Sequence, residues 1–133
     1  MKKIILLSAV VLALFTTSCG TSQNNNTEAV IVTVDATKFK ELSTQAGTIL
    51  DVRTPEEWAE GTIEGATKIN YHDDNFEQQV EKLDKETPVY VYCKSGGRSS
   101  SAADILEKKG FKKVYNLDGG ITSWKENGFE VAK

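Results

Sequence analysis

The chain has 133 residues, 39% of them hydrophobic and 26% charged, enough to bury the core of one domain and too few for two. With 16 basic side chains against 19 acidic ones and a formal net charge of -3, no basic stripe is left to grip nucleic acid. The two cysteines, Cys19 and Cys93, lie far apart in segments of opposite character, which excludes a disulfide-dense scaffold.

Lys2 and Lys3, the nearly unbroken apolar run from Ile4 to Phe15, and the small polar residues Thr16, Thr17 and Ser18 have the layout of an export signal. The run is shorter than the ~20 apolar residues that span a bilayer. Small residues followed at once by Cys19 and Gly20 resemble a bacterial lipoprotein signal, although Thr16 stands where leucine is usual. That resemblance implies removal of residues 1–18 and lipidation of Cys19 as the first mature residue; a plain cleaved signal and an uncleaved anchor are the alternatives. Several acyl chains anchor durably, so the expected location is the cell envelope, attached to the membrane through the N-terminal lipid. Gly20 in place of aspartate favours the outer membrane, facing the periplasm, in a Gram-negative cell. The next residues, 19–28, rich in Asn with Ser and Gln from Thr21 to Thr27, read as a tether, and residues 29–133 as the folded domain. With Cys19 lipidated, Cys93 is the one free thiol, a liability in an exported protein unless its reactivity is used.

Val30 to Val34 predicts a strand, and Asp35 caps a helix whose apolar face carries Phe39 and Leu42. Thr48 to Val52 predicts a second strand. Thr54-Pro55-Glu56-Glu57 then combines an N-cap threonine, proline at the first helical position and glutamate at the third, a reciprocal capping box for a short helix that Gly61 ends. Thr67 to Asn70 predicts a third strand, and Asp73 or Asp74 starts a helix with Phe76, Val80 and Leu83 on one stripe. Pro88 delimits Val89 to Tyr92, a continuous apolar and aromatic strand that implies burial on both faces. Ser99 to Lys109, closed by Gly110, predicts a helix with Ala102, Ala103, Ile105 and Leu106 inward. Lys113 to Leu117 is the last strand, and Asp118-Gly119-Gly120 turns into a final short helix with Ile121 and Trp124. Strands alternate with helices at crossover spacing, which predicts an α/β domain with a mostly parallel sheet of about five strands covered on both faces. In such sheets ligands sit at the carboxyl ends of the strands, where Cys93 falls.

The segment Cys93-Lys94-Ser95-Gly96-Gly97-Arg98-Ser99 carries the chemistry. Gly96 and Gly97 allow successive N–H groups to turn inward at positive φ, Ser99 is placed to cap the next helix, and Lys94 and Arg98 flank the cradle. Converging amides and a helix N-terminus favour a thiolate and an anion beside it. The planar fork of Arg98 suits an oxyanion with several oxygens. The plainer reading is a cysteine packed as a small hydrophobe before a glycine turn. His72, the only histidine, has no second histidine or nearby cysteine and makes a poor metal site. Trp58 and Trp124 read as core or pocket-rim residues rather than a ligand cage.

That segment resembles the active-site loop of single-domain rhodaneses, the thiosulfate sulfurtransferases. Asp51-Val52-Arg53-Thr54-Pro55-Glu56-Glu57-Trp58, followed by Gly61, Ile63, Gly65-Ala66 and Asn70, is similar to the family's amino-terminal signature. Leu117-Asp118-Gly119-Gly120-Ile121 with Trp124 and Gly128 is similar to its carboxyl-terminal one. Thr62 departs from the histidine that many members carry there. The resemblance implies that the Cys93 thiolate takes the outer sulfur of thiosulfate or a similar small anion as a persulfide. Cyanide, a small thiol or a protein thiol then accepts it, and neither metal nor organic cofactor is needed. In this reading Lys94, Ser95, Gly96, Gly97, Arg98 and Ser99 bind the substrate. Asp51 and Arg53 brace the loop more readily than they touch the donor.

Two other readings compete. Related phosphatases also set a cysteine and an arginine around an oxyanion loop, but with five intervening residues, whereas Lys94 to Gly97 makes four. A non-catalytic envelope module would use the same fold to bind a sulfur species or a partner protein. Thioredoxin-like exchange is disfavoured because no second cysteine lies close behind Cys93.

Overall fold

The computed structural model describes residues 28–133. The expected export signal, Cys19 and the segment Thr21–Thr27 lie outside the described residues. Ten elements alternate along the chain. They are β1 (Ile31–Val34), α1 (Ala36–Ser43), β2 (Thr48–Asp51), α2 (Pro55–Ala59), β3 (Thr67–Lys68), α3 (Phe76–Val80), β4 (Val89–Tyr92), α4 (Gly97–Lys108), β5 (Val114–Leu117) and α5 (Gly120–Glu126). The five strands form one sheet in the order β1-β5-β4-β2-β3, with every neighbouring pair parallel.

Strand β4 lies at the middle of this order, and all four of its residues are buried. Side chains alternate across a strand, so one run feeds two cores. Val89, Val91 and Cys93 join Leu50, Phe76, Val80, Ala102 and Leu106 on the face covered by α3 and α4. Tyr90 and Tyr92 join Phe39, Leu117, Ile121 and Trp124 on the face covered by α1 and α5. Phe39 meets Tyr90, Tyr92 and Trp124 edge to face at centroid distances of 6.1, 6.4 and 6.3 Å. Such pairs add to the burial of the rings themselves. The continuous apolar character of β4 therefore reflects two covered faces.

The local start signals act as their chemistry requires. Asp35 Oδ1 accepts the Lys38 N–H at 2.7 Å and opens α1, and Thr54 with Glu57 closes both halves of the capping box on α2. Two expectations change. The third strand is ladder-paired over only Thr67–Lys68, although the N–H groups of Ile69 and Tyr71 still donate to the Asp51 and Val52 carbonyls. Helix α3 begins at Phe76 behind Asn75, not at Asp73 or Asp74, because Asp73 closes a turn with the Phe76 N–H. Leu83, expected on the stripe of that helix, packs half-buried against the core from beyond its end. The parallel order gathers the ends of β2, β4 and β5 along one edge of the sheet, with Cys93 immediately after the middle strand.

Candidate active site

Four residues separate the end of β4 from the start of α4, and they fold around one sulfur. Gly96 is the N-cap of α4 at φ 114°, a conformation that a Cβ would oppose, and its N–H donates to Cys93 Sγ at 3.0 Å. Gly97 needs no such freedom. It is the first helical residue, exposed, and a Cβ built there meets nothing within 4 Å.

Ser99 was expected to cap α4 and does not. It lies inside the first turn, fully buried, with its Oγ 3.4 Å from Cys93 Sγ and 3.2 Å from the Gly96 carbonyl. The physical reason is the left-handed Gly96, which starts the helix earlier and turns the Ser99 hydroxyl onto the sulfur. Cys93 itself is 1% exposed. Burial opposes ionisation of its thiol. Hydrogen bonding from the Ser99 hydroxyl and from the N–H groups of Ser99, Gly96 and Ser95 outweighs that opposition and brings the thiol below its ordinary pKa. In the neutral form the S–H donates to Ser99 Oγ; on ionisation the hydroxyl is free to rotate and donate back to sulfur.

Arg98 was expected to face an oxyanion from the rim. Instead its guanidinium forks onto Glu57, Nη1 to Oε2 at 2.7 Å and Nη2 to Oε1 at 2.8 Å, tying the first turn of α4 to α2. Glu57 thus has a second role that the capping box gave no hint of, since its partner lies 41 residues away. The Arg98 fork, working against partial burial and helped by the Thr54 N–H, holds the Glu57 carboxyl at about 2. Arg98 remains close enough for the charge of Cys93 to raise its own pKa, after the larger effect of Glu57. The Lys94 side chain is exposed at the rim, and so is Ser95.

Asp51 and Arg53 do not reach the sulfur in any hydrogen bond of the structure. Asp51 Oδ1 accepts the Arg53 N–H and Nε at 3.0 Å, Oδ2 accepts Nη2 at 2.7 Å and the Tyr92 hydroxyl at 2.6 Å, and Nη2 also donates to the Gly61 carbonyl at 2.7 Å. The Tyr92 oxygen accepts the Ile63 N–H at 2.9 Å. This buried clasp fixes the end of β2 against β4. Tyr92, which the sequence offered only as a core residue, is its third member.

The loop is also held from its far side. The Cys93 carbonyl accepts the Ile121 N–H at 2.9 Å, and the Lys94 carbonyl accepts the Thr122 N–H at 3.1 Å and the Thr122 hydroxyl at 3.0 Å. Gly120 permits this approach, since a Cβ there would fall 2.5 Å from the Cys93 oxygen and from the Lys94 carbonyl. The glycine pair at the start of α5 was legible as a turn; the contact it allows was not.

Of the remaining candidates, Trp124 is core, with Nε1 donating to the Glu130 carbonyl at 2.9 Å, and Trp58 is half-buried on α2. His72 is exposed against Tyr71, and among the described residues no three His, Cys, Asp or Glu side chains cluster as a metal site. A groove of about 530 Å³ between Lys40, Trp124 and Phe129 lies on the α1–α5 face and includes no residue of the Cys93 loop. Chemically, the site offers a buried thiol whose pKa is drawn below its ordinary value by the Ser99 hydroxyl and a bowl of N–H groups, with exposed Gly97 beside it.

Residues 35–127 match the model of the Rhodanese-like domain family. A protein of Coxiella burnetii named thiosulfate sulfurtransferase GlpE is 42% identical over 77 residues, 58% of this chain and 70% of that protein. A sulfurtransferase of Allochromatium vinosum is 35% identical over 83 residues, 62% of this chain and 76% of that one. Among solved structures, a rhodanese-related protein from Thermoplasma volcanium superposes with a TM-score of 0.67 at 31% identity, over 75% of this chain and 96% of that one. The five-stranded parallel sheet, the loop that closes on Cys93 and these matches agree, and the chain belongs to the rhodanese-like family, whose members similar to it include proteins named as sulfurtransferases.

Proposed function

We propose that the protein transfers a sulfane sulfur through a persulfide on Cys93. The observation that carries this reading is the sulfur itself, buried yet with backbone N–H groups and the Ser99 hydroxyl converging on it, which draws its pKa below the ordinary thiol value. In the first step the Cys93 thiolate attacks the outer sulfur of thiosulfate or a similar donor. A new S–S bond forms, the donor's S–S bond breaks, and sulfite leaves with the electron pair. In the second step cyanide or a thiolate attacks the outer sulfur, and the Cys93 thiolate is released. No net redox change or outside proton is required with thiosulfate and cyanide, and ping-pong kinetics follow. The persulfide anion forms beside the start of α4, which contributes its positive end. Because Glu57 occupies Arg98, attraction of an anionic donor to the rim falls to Lys94 and the loop amides.

Intact-mass analysis after incubation with thiosulfate tests the proposal. The Cys93 peptide gains one sulfur atom, cyanide removes it, and Cys93→Ser gains none. Turnover that persists in Cys93→Ser, or a mass that never changes, removes the assigned nucleophile and favours the binding-module reading. The phosphatase alternative is weakened by the four-residue spacing, and hydrolysis of an aryl phosphate by the same preparation would revive it.

The same proposal places the domain at the cell envelope, facing the periplasm on a lipid at Cys19. Its support is the order of charged, apolar and small residues before that cysteine. Recovery in the detergent phase of an envelope extract, lost in Cys19→Ala, checks it.

A further inference from the structure

Two carbonyls of the active loop are fixed from outside it by α5. The Ile121 N–H takes the Cys93 oxygen, and Thr122 takes the Lys94 oxygen twice, through its N–H at 3.1 Å and its hydroxyl at 3.0 Å. The described peptide bonds are all trans, and across a trans peptide the carbonyl and the following N–H point in opposite directions. Holding the Lys94 oxygen outward against α5 therefore turns the Ser95 N–H inward. On that side lies Cys93 Sγ, which already receives the Gly96 N–H at 3.0 Å. The Ser95 N–H is among the groups that favour the Cys93 thiolate.

Thr122 is exposed, so its side chain contributes little to either core. Its hydroxyl bond is nonetheless spent on a loop carbonyl. Resting on the reading of Cys93 as the reacting atom, we infer that Thr122 is a positioning residue whose hydroxyl holds the Lys94 carbonyl against α5 and so aims the Lys94–Ser95 peptide at the Cys93 sulfur. Released from that bond, the peptide rocks about the remaining Thr122 N–H contact, and the bowl loses alignment at one donor.

The charges near the sulfur come from other elements. Arg98 on α4, whose charge couples to Cys93, is paired with Glu57 on α2, the Asp51–Arg53 pair closes the end of β2, and Lys94 lies in the loop. A substitution at position 122 changes none of them, so a changed thiol reports loop geometry.

The test is the carbon-13 shift of Cys93 Cβ followed against pH in the full chain labelled at cysteine. This readout needs neither reagent access nor sulfur transfer, so it separates failure of this inference from failure of the proposed reaction. Thr122→Val moves the Cys93 midpoint upward by about half a unit, a roughly threefold loss of thiolate below the midpoint. Thr122→Ala removes the same hydroxyl without adding a methyl and gives the same shift. Thr122→Ser keeps the hydroxyl and restores the wild-type curve. A midpoint unmoved in the Val and Ala variants overturns the inference, as does a shift in the Ser variant equal to theirs. A lower melting temperature with an unmoved midpoint assigns the bond to stability alone, which also overturns it.

Discussion

A buried thiol ionises only where hydrogen bonds replace the water it has lost. At Cys93 the nearest side-chain donor is the Ser99 hydroxyl, at 3.4 Å, and in the neutral state it is turned toward the Gly96 carbonyl. Ser99→Ala removes that donor and leaves the amides in place. A bond to a charged acceptor contributes roughly 1.5–3 kcal/mol, and the long contact here puts the effect at the lower end. The Ala variant should therefore raise the thiol pKa by about one unit, read from the ultraviolet absorbance of the thiolate, and slow sulfur uptake near neutrality in proportion. An unchanged midpoint would leave the amides alone as the cause. The turn of the Cys93 loop into a helix start was recognisable from residue types, because glycines and a helix start are local facts. The role of Ser99 was not. Whether a serine caps a helix or lines its first turn depends on whether the preceding glycine takes a left-handed φ, and residue identity does not fix that.

Helices α2 and α4 meet through one ion pair, Glu57 on Arg98, with the two side chains 20% and 23% exposed. Glu57 is held at about 2 against an ordinary 4.5, first by Arg98. A carboxyl whose folded pKa is depressed contributes stability that is complete above its unfolded value and is lost as pH falls through the folded one. The contribution is thus present at neutrality, begins to fade near pH 4.5 and is gone below about 2. Glu57→Gln removes the charge and one arm of the fork, while its amide oxygen still accepts the Thr54 N–H and keeps the capping box, at a cost of about 1 kcal/mol after allowance for solvent screening. Urea midpoints at pH 6 and pH 3 should show the gap between wild type and variant narrowing as acid is added; a gap that stays constant would remove the ion pair from the account. The capping box was legible because its partners are three residues apart. Its second use was hidden by the 41 residues between Glu57 and Arg98, since no local pattern announces which distant cation a carboxylate will meet.

Across the whole molecule, alternation of strand and helix predicted a parallel sheet, and the buried run of β4 predicted a strand covered on both faces. The order β1-β5-β4-β2-β3 was beyond local pattern, because it is set by which strands share buried faces. What locks the edge of that sheet beside the Cys93 loop is the clasp of Asp51, Arg53 and Tyr92. Asp51 is fully buried and Arg53 1% exposed, and both oxygens of the carboxylate are filled by Arg53 and Tyr92. Arg53→Met keeps much of the side-chain bulk but strands the carboxylate with only the Tyr92 hydroxyl and one backbone N–H. Removing one member of a buried pair costs roughly 3–5 kcal/mol, because the remaining charge has neither water nor partner. The urea midpoint should fall accordingly at unchanged m. Asp51→Leu combined with Arg53→Met removes both charges and should recover part of the loss, while Tyr92 and the Gly61 carbonyl still lack their partners. If the Arg53→Met variant loses less than about 1 kcal/mol, water reaches the clasp. The alignment of β2 with β4 would then rest on their backbone ladder and the apolar layers.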